Sequence, residues 1–294
     1  MKSNFDIFSD TILPLMKFMK LQQLLQDPGY KKKFVLEKLL AHFLNKTREE
    51  LWIDSEFEID SETLTTIQKA YREYVEDEKP LEYILGYVEF FGVKFWVNEH
   101  TLIPRPETEY MISALTEYLQ ESQLSDFVLL DIGTGSGAIA LALAKNRPDW
   151  SVTAADISQD ALDLANENAK NQNLQIFLKK SDCFTEISEK YDIIVSNPPY
   201  ISREDESEIG LNVLHSEPHL ALFADEDGLA IYRRIAEDAK DYLKDGGKIY
   251  LEIGYKQGQS VPELFRKHLP EKRVRTLKDQ FGQDRMVVVD DGQD

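Results

Sequence analysis

Apolar side chains recur at helical spacing through the first part of the chain. Leu36, Leu39, Leu40, Phe43 and Leu44 fall on one face, and Leu64, Ile67, Tyr71 and Tyr74 repeat the spacing behind a helix cap at Asp60 or Ser61. No strand alternation is visible here, so the pattern predicts a small helical bundle as a separate N-terminal domain over residues 1–80. The charged run from Glu76 to Lys79 ends at Pro80 and marks its edge, because proline cannot continue a helix. From 83 to 103 the pattern changes to Tyr, Phe, Trp and Val with Gly86 and Gly92, which predicts a β-hairpin inside a linker over 81–105. Pro104-Arg105-Pro106 then breaks the pattern, and Met111, Ile112, Leu115 and Leu119 open a helix over 107–119 that begins a second domain, 106–294.

Past that helix, short apolar runs alternate with amphipathic segments. Strands are expected over 127–131, 151–156, 174–178, 192–196, 248–253, 273–277 and 285–289, with helices over 138–145, 159–171, 229–243 and 260–267. Strands separated by helices pair in parallel and are covered on both faces. The last two strands are separated by Gly282 and no helix, so they are expected to pair antiparallel at one edge. The prediction is an α/β fold around a seven-stranded mixed sheet.

Composition narrows the partners. The formal charge of −19 repels a phosphate backbone, and no Lys/Arg stripe offsets it, so direct nucleic-acid binding is not expected. A single cysteine, Cys183, excludes an intrachain disulfide framework and fits a cytoplasmic protein. His215 and His219 lie four apart, but Pro218 between them argues against one helix face presenting both, and no metal is expected. Near the N-terminus Ile12, Leu13, Leu15, Met16 and Met19 are interrupted by Lys17 and Lys20, so neither a signal peptide nor a membrane span is expected.

Two loops carry the chemistry. After the first strand comes Asp131-Ile132-Gly133-Thr134-Gly135-Ser136-Gly137-Ala138, a glycine-rich turn that opens a helix at the end of a parallel strand, where open α/β sheets bind ligands. The next strand ends in Asp156, placed to accept the ribose hydroxyls of an adenosine. Gly133, Gly135 and Ala138 fit a dinucleotide pattern, which leaves a nicotinamide enzyme open. Asp131 ahead of the first glycine is awkward beside a pyrophosphate and acceptable beside the ammonium and sulfonium of S-adenosylmethionine. After the third strand, Ser181-Asp182-Cys183-Phe184 falls where methyltransferases contact the adenine ring, a likeness that implies Asp182 accepting from the adenine amino group, and Phe184 is expected to fill the core.

The second loop is Asn197-Pro198-Pro199-Tyr200, directly after the apolar run 191–196. Two prolines end the strand in a rigid shelf. The Asn197 side-chain oxygen and the Pro198 carbonyl together suit a planar NH2 group offering two hydrogen bonds, and Tyr200 supplies a ring for it to pack on. The loop is therefore built for an amide or an exocyclic amine.

The segments Leu102-Ile103-Pro104-Arg105-Pro106-Glu107-Thr108-Glu109, Asp131 to Gly137, Asp156-Ile157-Ser158 and Val195 to Ile201 together resemble the protein-(glutamine-N5) methyltransferases that act on peptide-chain release factors. Further matches are Glu217-Pro218 with Ala221-Leu222, Asp227-Gly228-Leu229, and Glu252-Ile253-Gly254 with Gln257. The resemblance implies a Rossmann-like, class I S-adenosylmethionine-dependent methyltransferase domain behind a helical substrate-recognition domain. It implies methylation of the glutamine in the Gly-Gly-Gln loop of bacterial release factors. The expected cofactor contacts are Gly133, Thr134, Gly135, Ser136, Gly137, Asp156, Asp182, Cys183 and Asn197; the expected catalytic residues are Asn197, Pro198 and Tyr200, with Pro199 joining them at the substrate. Cys183 stands where some members carry an aromatic residue. Arg105 and Glu107 either order a lid over the cofactor or fix a turn. A monomer is expected.

The Asn-Pro-Pro-Tyr element is also shared with adenine-N6 DNA and RNA methyltransferases, since an adenine amino group presents the same two donors. That activity is the nearest alternative, and a non-catalytic adenosine-binding module is a further one. The first would have to flip a base and hold a polyanion, which the charge disfavours.

Overall fold

A computed structural model describes residues 18–54, 56–121 and 126–292, and for 118–121 the backbone alone. The apolar positions Ile12, Leu13, Leu15 and Met16 lie outside the described residues, as does the side chain of Leu119. The chain divides into two compact units, Met1–Leu85 and Gly86–Asp294.

In the first unit the elements are β1 (Phe18–Lys20), α1 (Leu21–Gln26), α2 (Lys33–Leu44), α3 (Arg48–Ile53), β2 (Glu58–Asp60), α4 (Ser61–Val75) and α5 (Leu81–Leu85). The apolar faces of α2 and α4 meet through Leu36, Leu39, Leu40, Leu64, Ile67 and Tyr71, all buried. Asp60 caps α4, accepting from the backbone N–H groups of Glu62 and Thr63. The expectation of helices alone is corrected. β1 and β2 pair antiparallel over three residues each, Phe18 opposite Asp60, a pairing across some forty residues that no local turn signal announces. Residues 83–85, expected in a hairpin, are helical in α5.

The second unit opens with a hairpin, β3 (Tyr87–Phe90) and β4 (Val93–Trp96), whose turn residues Phe91 and Gly92 both have positive φ. It continues as α6 (Pro106–Glu121), β5 (Val128–Ile132), α7 (Ala138–Asn146), β6 (Ser151–Asp156), α8 (Gln159–Asn171), β7 (Phe177–Lys180) and β8 (Tyr191–Ser196). Three short helices, α9 (Leu211–Ser216), α10 (His219–Leu222) and the kinked α11 (Asp225–Gly228), lead to α12 (Ala230–Tyr242), β9 (Leu243–Glu252), α13 (Ser260–His268), β10 (Arg273–Lys278) and β11 (Asp284–Asp290). The seven-stranded sheet runs β10-β11-β9-β8-β5-β6-β7, parallel from β9 to β7 and antiparallel at β11 and β10.

Alternate side chains of each central strand enter opposite cores. Leu129, Ile193, Val195 and Tyr250 join α6 and α7 on one face; Leu130, Ile194, Ile249 and Leu251 join α12 and α13 on the other. Residues 138–144 of α7 are all buried, as an apolar helix without a polar face must be. The third strand starts three residues later than predicted. Asn173 adopts a left-handed conformation and the N–H of Leu174 returns to the carbonyl of Ala169, so Leu174 closes α8 and β7 begins at Phe177.

Candidate active site

Strand order reverses between β5 and β8, and their carboxyl ends open a crevice. Ile132 is registered beside Ser196, whose hydroxyl donates to the Ile132 carbonyl at 2.6 Å. The glycine loop after β5 and the Asn-Pro-Pro-Tyr loop after β8 are thus adjacent by register. Between them lies a cleft of about 310 Å³, also walled by the ends of β6 and β7, by residues 99–108 and by residues 218–221.

Gly133, Gly135 and Gly137 have φ of 71°, 56° and 81°. A Cβ on Gly133 or Gly135 would meet nothing, whereas one on Gly137 would press on Ala165 and Leu141 at 3.1 Å. The first two glycines therefore leave room at the cleft, and the third packs α7 against α8 without reaching the cleft wall. Thr134 Oγ1 donates to Asp131 Oδ2 at 2.7 Å, and the Ala140 N–H donates to the same oxygen at 3.2 Å. Asp131 Oδ1 is buried with no partner. Burial pushes the Asp131 carboxyl up to about 7, against the pull of those two donors. Asp156 Oδ2 accepts the Gly135 N–H and Oδ1 the Ser158 N–H, each at 2.9 Å. It shapes the glycine loop and still has lone pairs to offer; burial raises its pKa while the backbone donors oppose.

Asp156, on the cleft wall, fits a ligand carrying ribose hydroxyls, while Asp131 lies off the wall beneath the glycine loop. Among the described residues the cleft wall holds one guanidinium or ammonium, Arg105, and it is bonded to buried Glu217. Glu217 also accepts the Ile103 N–H at 3.1 Å, so one carboxylate ties the 101–105 wall to the 217–221 wall. Pyrophosphate would find carboxylates where it needs cations. The donor set fits S-adenosylmethionine.

Asn197, Pro198 and Pro199 line the cleft. Asn197 Nδ2 donates to Thr108 Oγ1 at 3.2 Å. Tyr200 is not on the cleft wall; it packs against the core beneath, its carbonyl accepts from Gln257 Nε2 at 3.1 Å, and burial pushes its phenol up to about 12. On the far wall, Asp182 and Cys183 border the cleft. Asp182 Oδ1 accepts from Arg234 Nη1 at 2.6 Å, and the buried Cys183 thiol is pushed up to about 11, which keeps it protonated. Phe184 fills the core, stacked on Tyr242. Among the described residues no group of three or more His, Cys, Asp or Glu side chains is arranged to hold a metal, and His219 bonds the Leu214 carbonyl.

Five residues at this site carried no role in the sequence reading: Thr108, Glu217, Gly228, Glu252 and Gln257. All stand in stretches that matched the family, which was their signal. Their partners lie far away in the chain, so no spacing rule assigns them.

A family model described as Methyltransferase small domain matches residues 108–222, and one described as PrmC N-terminal domain matches residues 21–86. The chain is 75% identical over 242 residues to a release factor glutamine methyltransferase of Streptococcus pneumoniae, covering 81% of this chain and 86% of that protein. It is 44% identical over 266 residues to one of Lactococcus lactis, covering 90% and 95%. Among solved structures, a methyltransferase from Pyrococcus furiosus shares the fold, with a TM-score of 0.51 at 20% identity over 79% of this chain and 100% of that one. With the glycine loop, the acidic β6 end and the Asn-Pro-Pro-Tyr shelf around one cleft, this chain belongs to the release factor glutamine methyltransferases.

Proposed function

We propose that the chain methylates the side-chain amide nitrogen of the glutamine in the Gly-Gly-Gln motif of bacterial peptide-chain release factors, with Asn197 and the Pro198 carbonyl each accepting one of the two amide N–H groups. S-adenosylmethionine supplies an electrophilic methyl group on a sulfonium. An amide nitrogen is a poor nucleophile because its lone pair is delocalised, so the residues must orient it. Two acceptors raise electron density on nitrogen and aim it, and such positioning is worth about 7–11 kcal/mol in favourable cases. Pro199 and Tyr200 hold the shelf rigid, one at the wall and one beneath it. Gly133, Thr134, Gly135 and Ser136 of the glycine loop, together with Asp156, Asp182 and Cys183, bind the cofactor, and Gly137 holds the loop against α8.

The observation that carries this reading is the register of Ile132 beside Ser196, which sets the cofactor loop and the acceptor shelf side by side. Transfer of labelled methyl from S-adenosylmethionine to a release factor tests it, beside a mutant whose Gly-Gly-Gln glutamine is changed. Label on the wild-type factor alone is expected. Label on nucleic acid instead would favour the adenine-N6 alternative.

The first unit recognises the release factor away from the Gly-Gly-Gln loop. Trp52 and Ile53, 57% and 83% exposed at the end of α3, support this role. Replacing both by alanine is expected to raise KM for the release factor and leave kcat unchanged. Among the described residues no helix is long and apolar enough to cross a membrane. We place the protein in the cytoplasm, acting as a monomer without direct nucleic-acid contact; sedimentation with and without RNA checks both points.

A further inference from the structure

A carboxamide can sit two ways round, and only one of them turns an acceptor toward the cleft. Ser196 on β8 is registered beside Leu251 on β9, so Asn197 and Glu252, each the next residue, lie at neighbouring strand ends. Thr108, in the first turn of α6, bridges them. Its Oγ1 donates to Glu252 Oε2 at 2.6 Å and accepts from Asn197 Nδ2 at 3.2 Å. Thr108 and Glu252 are 3% and 2% exposed, so leaving either polar group without a partner would be costly.

A hydroxyl has one proton to give. While it gives that proton to a carboxylate, it can only accept from its other neighbour. The NH2 of Asn197 must then face Thr108, and Oδ1 must face the opposite way. We propose that Thr108 and Glu252 are positioning residues that orient the Asn197 amide for the reaction, and that ionised Glu252 sets the direction of the whole chain of hydrogen bonds. When Glu252 carries a proton it can donate to Thr108, the Thr108 hydroxyl is free to donate to Asn197 Oδ1, and the NH2 can turn toward the substrate. Donor would then face donor. The inference rests on the acceptor role given to Asn197 above.

The groups around Glu252 bear on when it ionises. Arg285 of β11 and the donors Thr108 and Asn197 favour the charged form, while Glu107 of α6 disfavours it. The Tyr232 hydroxyl of α12 donates to the Glu252 backbone carbonyl at 2.6 Å, and the Tyr200 phenol lies close by. Burial outweighs the favourable partners and pushes Glu252 up to about 7, so the orientation switches in the neutral range.

The test compares Thr108→Val, which keeps shape and loses the hydroxyl, with Thr108→Ser, which keeps the hydroxyl. Thr108→Val is expected to lose about tenfold or more in kcat on a release factor, with S-adenosylmethionine affinity within about twofold by calorimetry, and Thr108→Ser to recover to within about threefold of wild type. Wild-type kcat should rise with pH through the neutral range, and Glu252→Gln should flatten that rise. Full activity of Thr108→Val overturns the inference, as does Thr108→Ser being as impaired as Thr108→Val at equal melting temperatures. A second readout needs no substrate. The side-chain amide signals of Asn197 in a nitrogen-15 spectrum should shift with a midpoint near neutral pH in wild type and not in Thr108→Val, and their failure to shift in wild type overturns the inference. Absence of methyl transfer by wild type, with that shift intact, overturns the proposed function instead.

Discussion

A methyl group at position 228 would overlap the carbonyl oxygen of Tyr200, and Gly228 has a φ of 80° that alanine adopts at a cost of about 1–2 kcal/mol. Gln257 Nε2 clamps the same place, donating to the carbonyls of Tyr200 and Gly228. Gly228→Ala is therefore expected to lower the melting temperature and kcat while leaving S-adenosylmethionine affinity nearly intact, since the glycine loop is not touched; calorimetry and turnover separate the two. Asn197→Ala should lose about a hundredfold or more in kcat by the same logic as removing one oriented transition-state partner, again with a smaller loss of cofactor binding. Equal losses in both would count against the orienting role. Asp156→Ala should do the reverse and weaken cofactor binding first, since its carboxylate both holds the Gly135 N–H and borders the cleft. Unchanged affinity would remove Asp156 from the cofactor site. The glycine loop and the tetrapeptide were legible in the sequence because proline and glycine act on their own backbone. Thr108 and Glu252 were not, because a buried hydroxyl and carboxylate mean something only once their partners are known.

Elements are joined here by single buried side chains. Asn168 of α8 is fully buried; its Oδ1 accepts the Trp96 N–H at 2.7 Å, and its Nδ2 donates to the carbonyls of Trp96 and Ser136 at 3.0 and 2.9 Å. One carboxamide thus binds the β3–β4 hairpin and the glycine loop to α8. Asn168→Ala strands these buried backbone groups and is expected to cost about 2–4 kcal/mol, read as a lowered urea midpoint. An unchanged midpoint would mean that water replaces the amide. Periodicity located α8 and β6 to the residue, since both have one strongly apolar face and a clear end signal. It failed at β1 and β2, which are three-residue strands paired over a long separation, and at Leu174, where an apolar side chain belongs to a helix end instead of a strand.

At the scale of the whole molecule, buried carboxylates set the response to pH. Asp131 and Glu252 are raised from ordinary values of 3.8 and 4.5 to about 7, chiefly by burial. The folded state then holds protons that the unfolded state has already released. Their contribution to stability is full below about pH 4, and it is lost as pH rises to about 7. Wild type should lose stability relative to Glu252→Gln across that window, by up to about 3 kcal/mol. Urea midpoints of the two proteins at pH 5, 6, 7 and 8 check this, and a constant difference would show that Glu252 does not titrate there. The net charge of −19 does not predict this slope, because a group changes stability with pH only through the difference between its folded and unfolded pKa.

By itself the sequence determined the alternation of strands and helices, the antiparallel edge pair, the glycine turn and the proline shelf. Each of these depends on residues that are neighbours in the chain, through local backbone restriction or through the period of an apolar face. Only the tertiary structure decided that Tyr200 packs beneath the shelf, that Glu217 holds Arg105, and that Thr108 joins Asn197 to Glu252. Those contacts follow from sheet register and from where α6 begins, and the apolar pattern that drives folding is indifferent to which polar residues it brings to the strand ends.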